Sequence, residues 1–102
     1  MAGKSIKERR MFERIPCFIT GEYVNKAKEV VGIICENISA AGARLLMPEV
    51  PENYKTGIRL VTNERKYFSL KGTVRWHKKE GDNWRVGMSF DKALTFPLKT
   101  FF

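Results

Sequence analysis

The chain has 102 residues, a formal net charge of +8 and a hydrophobic content of 43%. This length suits one domain with its own core, and this hydrophobic content excludes a disordered polyelectrolyte. No apolar run approaches the roughly 18 residues of a membrane helix, so membrane insertion is not expected. The positive charge indicates either an anionic partner, such as a nucleotide, an RNA, an acidic protein or an acidic lipid, or simply a contribution to solubility.

The first segment of the chain, residues 1–14, is polar and basic and carries Arg9, Arg10 and Arg14. It lacks the apolar stretch of a secretion signal, which predicts a cytoplasmic protein. We interpret this segment as a flexible basic leader that precedes one folded domain over residues 15–102.

Six stretches after the leader combine β-branched, aromatic and alternating apolar residues, and turn residues separate them. This pattern predicts an all-β domain built as a small barrel or sandwich. A polar hairpin loop is predicted over residues 78–83, and residues 91–102 predict a short tail or helix limited by Pro97. The predicted strands are Cys17–Val24, Val30–Cys35, Ala43–Met47, Gly57–Thr62, Tyr67–Trp76 and Trp84–Phe90.

Two short motifs flank the first two predicted strands. Arg10 and Arg14 form R-x-x-x-R before the first strand, and residues 37–42 form N-x-S-x-x-G after the second. Taken alone, the arginines fit a solvated basic tail, and Asn37 and Gly42 fit a polar turn. Their order and separation in a β-rich chain favour a binding function.

This pair of motifs resembles the signature of the PilZ domain family. The likeness extends to the last hairpin, where residues 72–76 are G-T-V-R-W and residues 84–90 are W-R-V-G-M-S-F. The resemblance covers nearly the whole chain and implies a stand-alone domain with a six-stranded antiparallel β-barrel. It also implies a receptor for cyclic di-GMP, a bacterial second messenger. Family members with a longer C-terminal helix differ from this chain, whose C-terminal segment is short.

The resemblance implies roles for the motif residues in binding the two phosphates and two guanines of this ligand. A guanidinium fork matches a phosphate or the O6 and N7 edge of guanine, so the arginines would act as a clamp. Asn37 would offer its amide to guanine, and Ser39 would offer its hydroxyl to phosphate or base. The implied ligand-binding residues are Arg9, Arg10, Arg14, Asn37, Ser39, Gly42 and Gly87.

The glycines and the first arginine of this set carry further implications. Gly42 would permit close backbone approach or a positive φ. Gly87 would either let a base approach the strand or mark a bend of the barrel. Arg9, directly before the R-x-x-x-R motif, implies that the ligand binds as a stacked pair of molecules.

The remaining polar residues predict neither catalysis nor a metal site. His77 is the only histidine, and Cys17 and Cys35 lack the spacing of a zinc site, so both cysteines are predicted to be reduced core residues. No nucleophile and base pair is evident, and no cofactor is expected. Trp76 and Trp84 are interpreted as core or rim aromatics.

The sequence thus predicts a sensor and adaptor rather than an enzyme. Cyclic di-GMP would order the arginine leader over the barrel and change a surface that a downstream protein recognises. One alternative is a small β-barrel that binds RNA or single-stranded DNA, which the charge permits but which leaves the Asn37–Gly42 spacing unexplained. Another is a protein-interaction domain of PilZ shape that has lost its ligand.

Overall fold

The computed structural model describes residues 15–95 and residue 98. The predicted ligand-binding residues Arg9, Arg10 and Arg14 lie outside the described residues. The described part contains six β-strands and no helical segment over residues 15–95. The strands are β1 (Ile15–Val24), β2 (Val30–Ile38), β3 (Gly42–Met47), β4 (Lys55–Val61), β5 (Tyr67–Glu80) and β6 (Asn83–Phe90).

The six strands close into one antiparallel barrel in the order β1-β2-β3-β6-β5-β4. The short seam between β4 and β1 closes the wall, with Gly21 opposite Leu60 and Glu22 opposite Arg59. Arg59 also forms an ion pair with Glu22 across this seam. The predicted six-stranded antiparallel barrel is confirmed.

Alternation along each strand divides the side chains between the barrel interior and solvent. In β4, for example, Ile58 and Leu60 are buried whereas Arg59 between them is exposed. The interior is one apolar cluster to which every strand contributes. Its fully buried large side chains are Ile38, Leu45, Met47, Ile58, Leu60, Val86 and Cys35.

The hairpin between β5 and β6 is tighter than the sequence predicts. The expected polar loop over residues 78–83 is wrong, because β5 continues to Glu80 and β6 begins at Asn83. The turn is only two residues long, and Gly81 has a φ of 60°. A glycine with positive φ at the first turn position is typical of type II′ hairpins. Both faces of this hairpin end are solvated, so no apolar alternation reveals its strands.

The segment after β6 runs back over the end of the barrel as irregular chain. The Leu94 amide donates to the Ala40 carbonyl at 2.8 Å. Leu94 and Leu98 pack partly buried against the core. Residues 91–95 thus form an irregular tail, as one alternative of the prediction has it, whereas Leu98 is helical. Over the described ranges, no helix has the length and apolar character needed to cross a membrane.

Candidate functional site

One row of outward-facing positions crosses four strands of the barrel wall. Asn37 of β2 lies opposite Arg44 of β3, Arg44 lies opposite Gly87 of β6, and Gly87 lies opposite Trp76 of β5. Neighbouring strands are about 4.8 Å apart, so the row spans roughly 15 Å. We name these four positions the outer row. It unites two predicted site residues, Asn37 and Gly87, that are 50 positions apart in the sequence.

Three register shifts of the barrel all border the outer row. They lie in β1 between Pro16 and Ile19, in β2 at Glu36, and in β5 at Arg75. A bulge leaves one residue unpaired and re-aims the side chains beside it, and bulges are common next to binding sites. Their shared location makes the wall around the outer row the irregular part of the barrel.

The corner between β2 and β3 is built by Ser39, which is only 3% exposed. Its Oγ accepts hydrogen bonds from the amides of Ala41 at 3.3 Å and Gly42 at 3.2 Å. The Ser39 amide donates to the Gly42 carbonyl at 2.8 Å. The hydroxyl therefore stabilises the turn that follows Asn37, and a direct ligand contact of Ser39 stays a prediction.

Gly42 is required where β3 meets β6. A Cβ at this position would collide with the backbone carbonyl of Met88, which does not belong to a flexible side chain. Of the described glycines only Gly81 has a positive φ, so Gly42 is needed for close approach and not for its φ. The backbone that approaches Gly42 is that of β6, and contact with a ligand stays a prediction.

Two free cysteines lie under the bulge that presents Asn37. The buried Cys35 thiol donates to the Asn37 carbonyl at 3.3 Å, and the half-buried Cys17 thiol donates to the Cys35 carbonyl at 3.3 Å. Burial raises the pKa of both thiols, so each keeps its proton and can act as a donor at neutral pH.

Trp76 lies over Gly87 on the outer face. A Cβ at Gly87 would collide with the indole ring, so glycine is what lets this ring lie flat against the wall. Trp76 nevertheless stays 45% exposed. A cleft of about 360 Å³ opens beside it, lined by Tyr54, Val74, Arg75, Trp76 and His77. The arrangement offers an aromatic face at the end of the outer row.

Charged residues surround the centre of the outer row. Arg85 binds Glu36 through two contacts, Nε to Oε1 at 2.7 Å and Nη2 to Oε2 at 3.2 Å. A third contact joins Arg85 Nη1 to Glu80 Oε1 at 2.6 Å. Hydrogen bonding from Arg85 is the main cause that lowers the pKa of Glu36. Arg44 lies farther out, with its Nε 3.7 Å from Glu36 Oε1.

The start of β1 lies beside this site. Ile15 pairs with Ile38, and Pro16 pairs with Asn37. Pro16 follows Arg14, the last residue of the R-x-x-x-R motif, by two positions in the sequence. The fold thus brings the residues that directly follow the first motif to the strand that carries the second.

Sequence reasoning missed the centre of the site. Arg44 and Glu36 were not identified, although Arg44 lies only two residues beyond Gly42. Only the register of β3 against β2 and β6 shows that Arg44 lies between Asn37 and Gly87. That register depends on a bulge in β2, which no pattern of residues in the sequence predicts. Trp76 is a rim aromatic and Trp84 packs partly buried against the core, as interpreted.

The side-chain clusters of the structure and the comparisons with known proteins bear on the type of site. Among the described residues no three histidine, cysteine or acidic side chains are grouped in a way that could hold a metal ion. No curated protein matches the chain significantly. The family model of the PilZ domain matches residues 8–98. The chain therefore belongs to the PilZ domain family, whose members are generally receptors for cyclic di-GMP.

Proposed function

We propose that this protein is a cyclic di-GMP sensor and adaptor, and that the ligand binds on the outer row between the leader and Trp76. The observation that carries the proposal is the pairing of Pro16 with Asn37. It brings Ile15 and Pro16, which directly follow the R-x-x-x-R motif in the sequence, to the strand that bears Asn37. Family membership supports the ligand class, because PilZ domains generally bind this nucleotide.

The chemistry of the outer row suits this ligand. An amide at Asn37 can pair with a guanine edge, and the exposed ring of Trp76 offers a surface for a second base. The guanidiniums of Arg10 and Arg14 would bind from the leader side.

The ligand would hold the leader against the barrel. Ordering a peptide costs about 1–2 kcal/mol per residue, whereas one charge-assisted hydrogen bond returns about 1.5–3 kcal/mol. A single arginine cannot offset the ordering of the leader, so Arg9, Arg10 and Arg14 must act together. Ligand binding would thereby create a surface that a downstream protein recognises, and the protein would act as an adaptor and not as an enzyme.

Calorimetric titration with cyclic di-GMP tests this proposal, with GTP as a competing nucleotide. We expect micromolar or tighter binding of cyclic di-GMP and at least tenfold weaker binding of GTP. Arg10→Ala and Arg14→Ala should each reduce affinity at least tenfold, with a melting temperature close to that of the wild type. The matched control is Arg59→Ala, which removes a guanidinium from the seam between β4 and β1 and should leave affinity unchanged.

The stoichiometry of the same titration tests the role of Arg9. Two ligand molecules per chain at saturation are expected, falling to one in Arg9→Ala. One molecule per chain in the wild type would contradict a stacked pair. The absence of binding, together with an unchanged melting temperature, would overturn the receptor function and favour a domain that acts through protein contacts. Salt-sensitive oligonucleotide binding without preference for the cyclic dinucleotide would favour a nucleic-acid module.

A further inference from the structure

The outer row holds an arginine that belongs to neither sequence motif. Arg44 lies directly between Asn37 on β2 and Gly87 on β6. Each of these neighbours is one strand away, about 5 Å. Arg44 is thus rooted at the middle of the proposed ligand surface, on a regular strand and not on the leader.

The charge of Arg44 is poorly neutralised. The nearest carboxylate, Glu36, uses both of its oxygens to bind Arg85 at 2.7 and 3.2 Å. Arg44 Nε remains 3.7 Å from Glu36 Oε1, which is longer than a hydrogen bond. Arg85 has a second carboxylate in Glu80 at 2.6 Å. Of these two arginines, Arg85 is therefore fixed by its partners, and Arg44 keeps most of its charge available.

The position of the Arg44 side chain is not held by a hydrogen bond from its Nε. This atom is buried and has no hydrogen-bond partner among the residues that the structure describes. A buried donor without an acceptor is unfavourable, and such atoms commonly mark a site where a water or ligand completes the geometry. The Arg44 side chain is 42% exposed, so its guanidinium can turn outward and gain acceptors in exchange for the 3.7 Å contact with Glu36.

We propose that Arg44 is a further ligand-binding residue whose guanidinium binds a phosphate of the cyclic dinucleotide. The inference rests on the proposed function and extends it to a residue outside both motifs. A phosphate is favoured over a guanine edge because the available group is an incompletely neutralised cation, and a phosphate is the charged part of the ligand. Arg44 would hold this phosphate from the barrel side.

The backbone of Arg44 is positioned by the barrel itself, because β3 is paired with β2 on one side and with β6 on the other. Arg44 would therefore set the initial position of the ligand on the barrel.

Titration of Arg44→Gln and Arg44→Lys with cyclic di-GMP at two salt concentrations tests this inference. We expect at least fivefold weaker binding for Arg44→Gln and an intermediate loss for Arg44→Lys, which keeps the charge but loses the fork. Because one phosphate contact is gone, the affinity of Arg44→Gln should also depend less steeply on salt than that of the wild type. Arg59→Gln, on the seam of the barrel, is the charge-matched control.

The outcomes separate the two proposals. Wild-type binding with undiminished affinity in Arg44→Gln would overturn the role of Arg44 and leave the receptor function standing. A lowered melting temperature in both variants with unchanged affinity would show a purely structural arginine and would also overturn it. If the wild type fails to bind cyclic di-GMP, both the receptor function and the role of Arg44 are overturned.

Discussion

The two sides of the barrel wall differ in regularity. On one side, β4 and residues 67–73 of β5 form an unbroken ladder, from the pair Lys55–Thr73 to the pair Val61–Tyr67. We name this the regular ladder. On the other side, every register shift of the described barrel borders the outer row of Asn37, Arg44, Gly87 and Trp76. The same alternation of apolar residues builds both sides.

The comparison separates what holds the barrel together from what the barrel presents. Both sides bury leucines completely, Leu60 on the regular ladder and Leu45 under the outer row. Irregularity is therefore not a deficit of packing. It changes which side chains point outward and leaves local backbone groups to be satisfied by Ser39, Cys17 and Cys35. If this separation holds, substitutions on the regular ladder should lower stability alone, whereas substitutions around the outer row should also weaken ligand binding.

The largest expected effect is the loss of stability when a core side chain of the regular ladder is shortened. Leu60→Ala should lower the free energy of unfolding by about 2–5 kcal/mol, because Leu60 is fully buried. The folded fraction should bind cyclic di-GMP with wild-type affinity. Chemical denaturation followed by titration at a temperature where the variant is folded measures both quantities.

Leu45→Ala is the matched variant on the other side of the barrel. Leu45 is equally buried and lies next to Arg44 in β3. It should lose similar stability and in addition bind the ligand more weakly, because the cavity would loosen the strand that carries Arg44. Equal affinities in the two leucine variants would contradict the division between the two sides.

A smaller loss of stability is expected from a substitution where β3 meets β6. Gly42→Ala should destabilise the protein by about 1–3 kcal/mol, since the new methyl group would meet the Met88 carbonyl and force the strands apart. Affinity should fall as well, because this contact supports the corner after Asn37. Thermal unfolding and ligand titration measure the two losses.

Gly57→Ala is the control for this substitution on the regular ladder. The nearest atom to a Cβ at Gly57 is the Leu70 carbonyl at 3.7 Å, an ordinary contact. Stability should therefore stay within about 0.5 kcal/mol of the wild type, as for most surface substitutions. A loss of stability as large as that of Gly42→Ala would contradict the explanation of Gly42 by its close contact with Met88, because Gly57 has no such contact.

A change with a modest cost in stability tests the aromatic end of the outer row. Gly87→Ala should push aside the Trp76 ring, which is a movable side chain, and cost about 1 kcal/mol. Tryptophan fluorescence should shift and affinity for the ligand should fall. Gly32→Ala, where a Cβ meets nothing within 4 Å, should change neither. Unchanged affinity with a clear fluorescence shift would remove Trp76 and Gly87 from the binding surface.

The smallest expected effect is a loss of stability at acid pH. Hydrogen bonding from Arg85 lowers the pKa of Glu36 in the folded protein below its ordinary value of 4.5. As the pH falls, the unfolded chain therefore takes up this proton before the folded protein does. The stabilisation from Glu36 is complete above pH 4.5 and is lost below it, as the pH passes through the folded pKa.

The melting temperatures of the wild type and Glu36→Gln measure this contribution. At neutral pH the variant should melt lower, because it cannot replace the ion pair with Arg85. The difference should shrink as the pH drops below 4.5 and Glu36 becomes neutral in the wild type. Curves that stay parallel down to strongly acid pH would show that this carboxylate does not contribute as described.

Alternation determined the strands wherever one face is buried. The stretch around Ile58 and Leu60 alternates clearly, and its strand was predicted to within two residues at its start. Residues 78–80 were missed because both faces of that hairpin end are in solvent, so nothing selects apolar residues at every second position. The positions of Asn37, Ser39 and Gly42 at a corner between strands also followed from local turn chemistry.

Local pattern alone determined the strand content, the two motifs and the family of this protein. The tertiary structure decided which residues share the outer row, because register between strands depends on bulges and on closure of the barrel. Arg44 illustrates the difference. Its neighbours in space, Asn37 and Gly87, lie on different strands, and only the pairing of β3 with both of them brings the three together. Sequence encodes each strand through neighbours two residues apart, whereas the site is a product of contacts across strands.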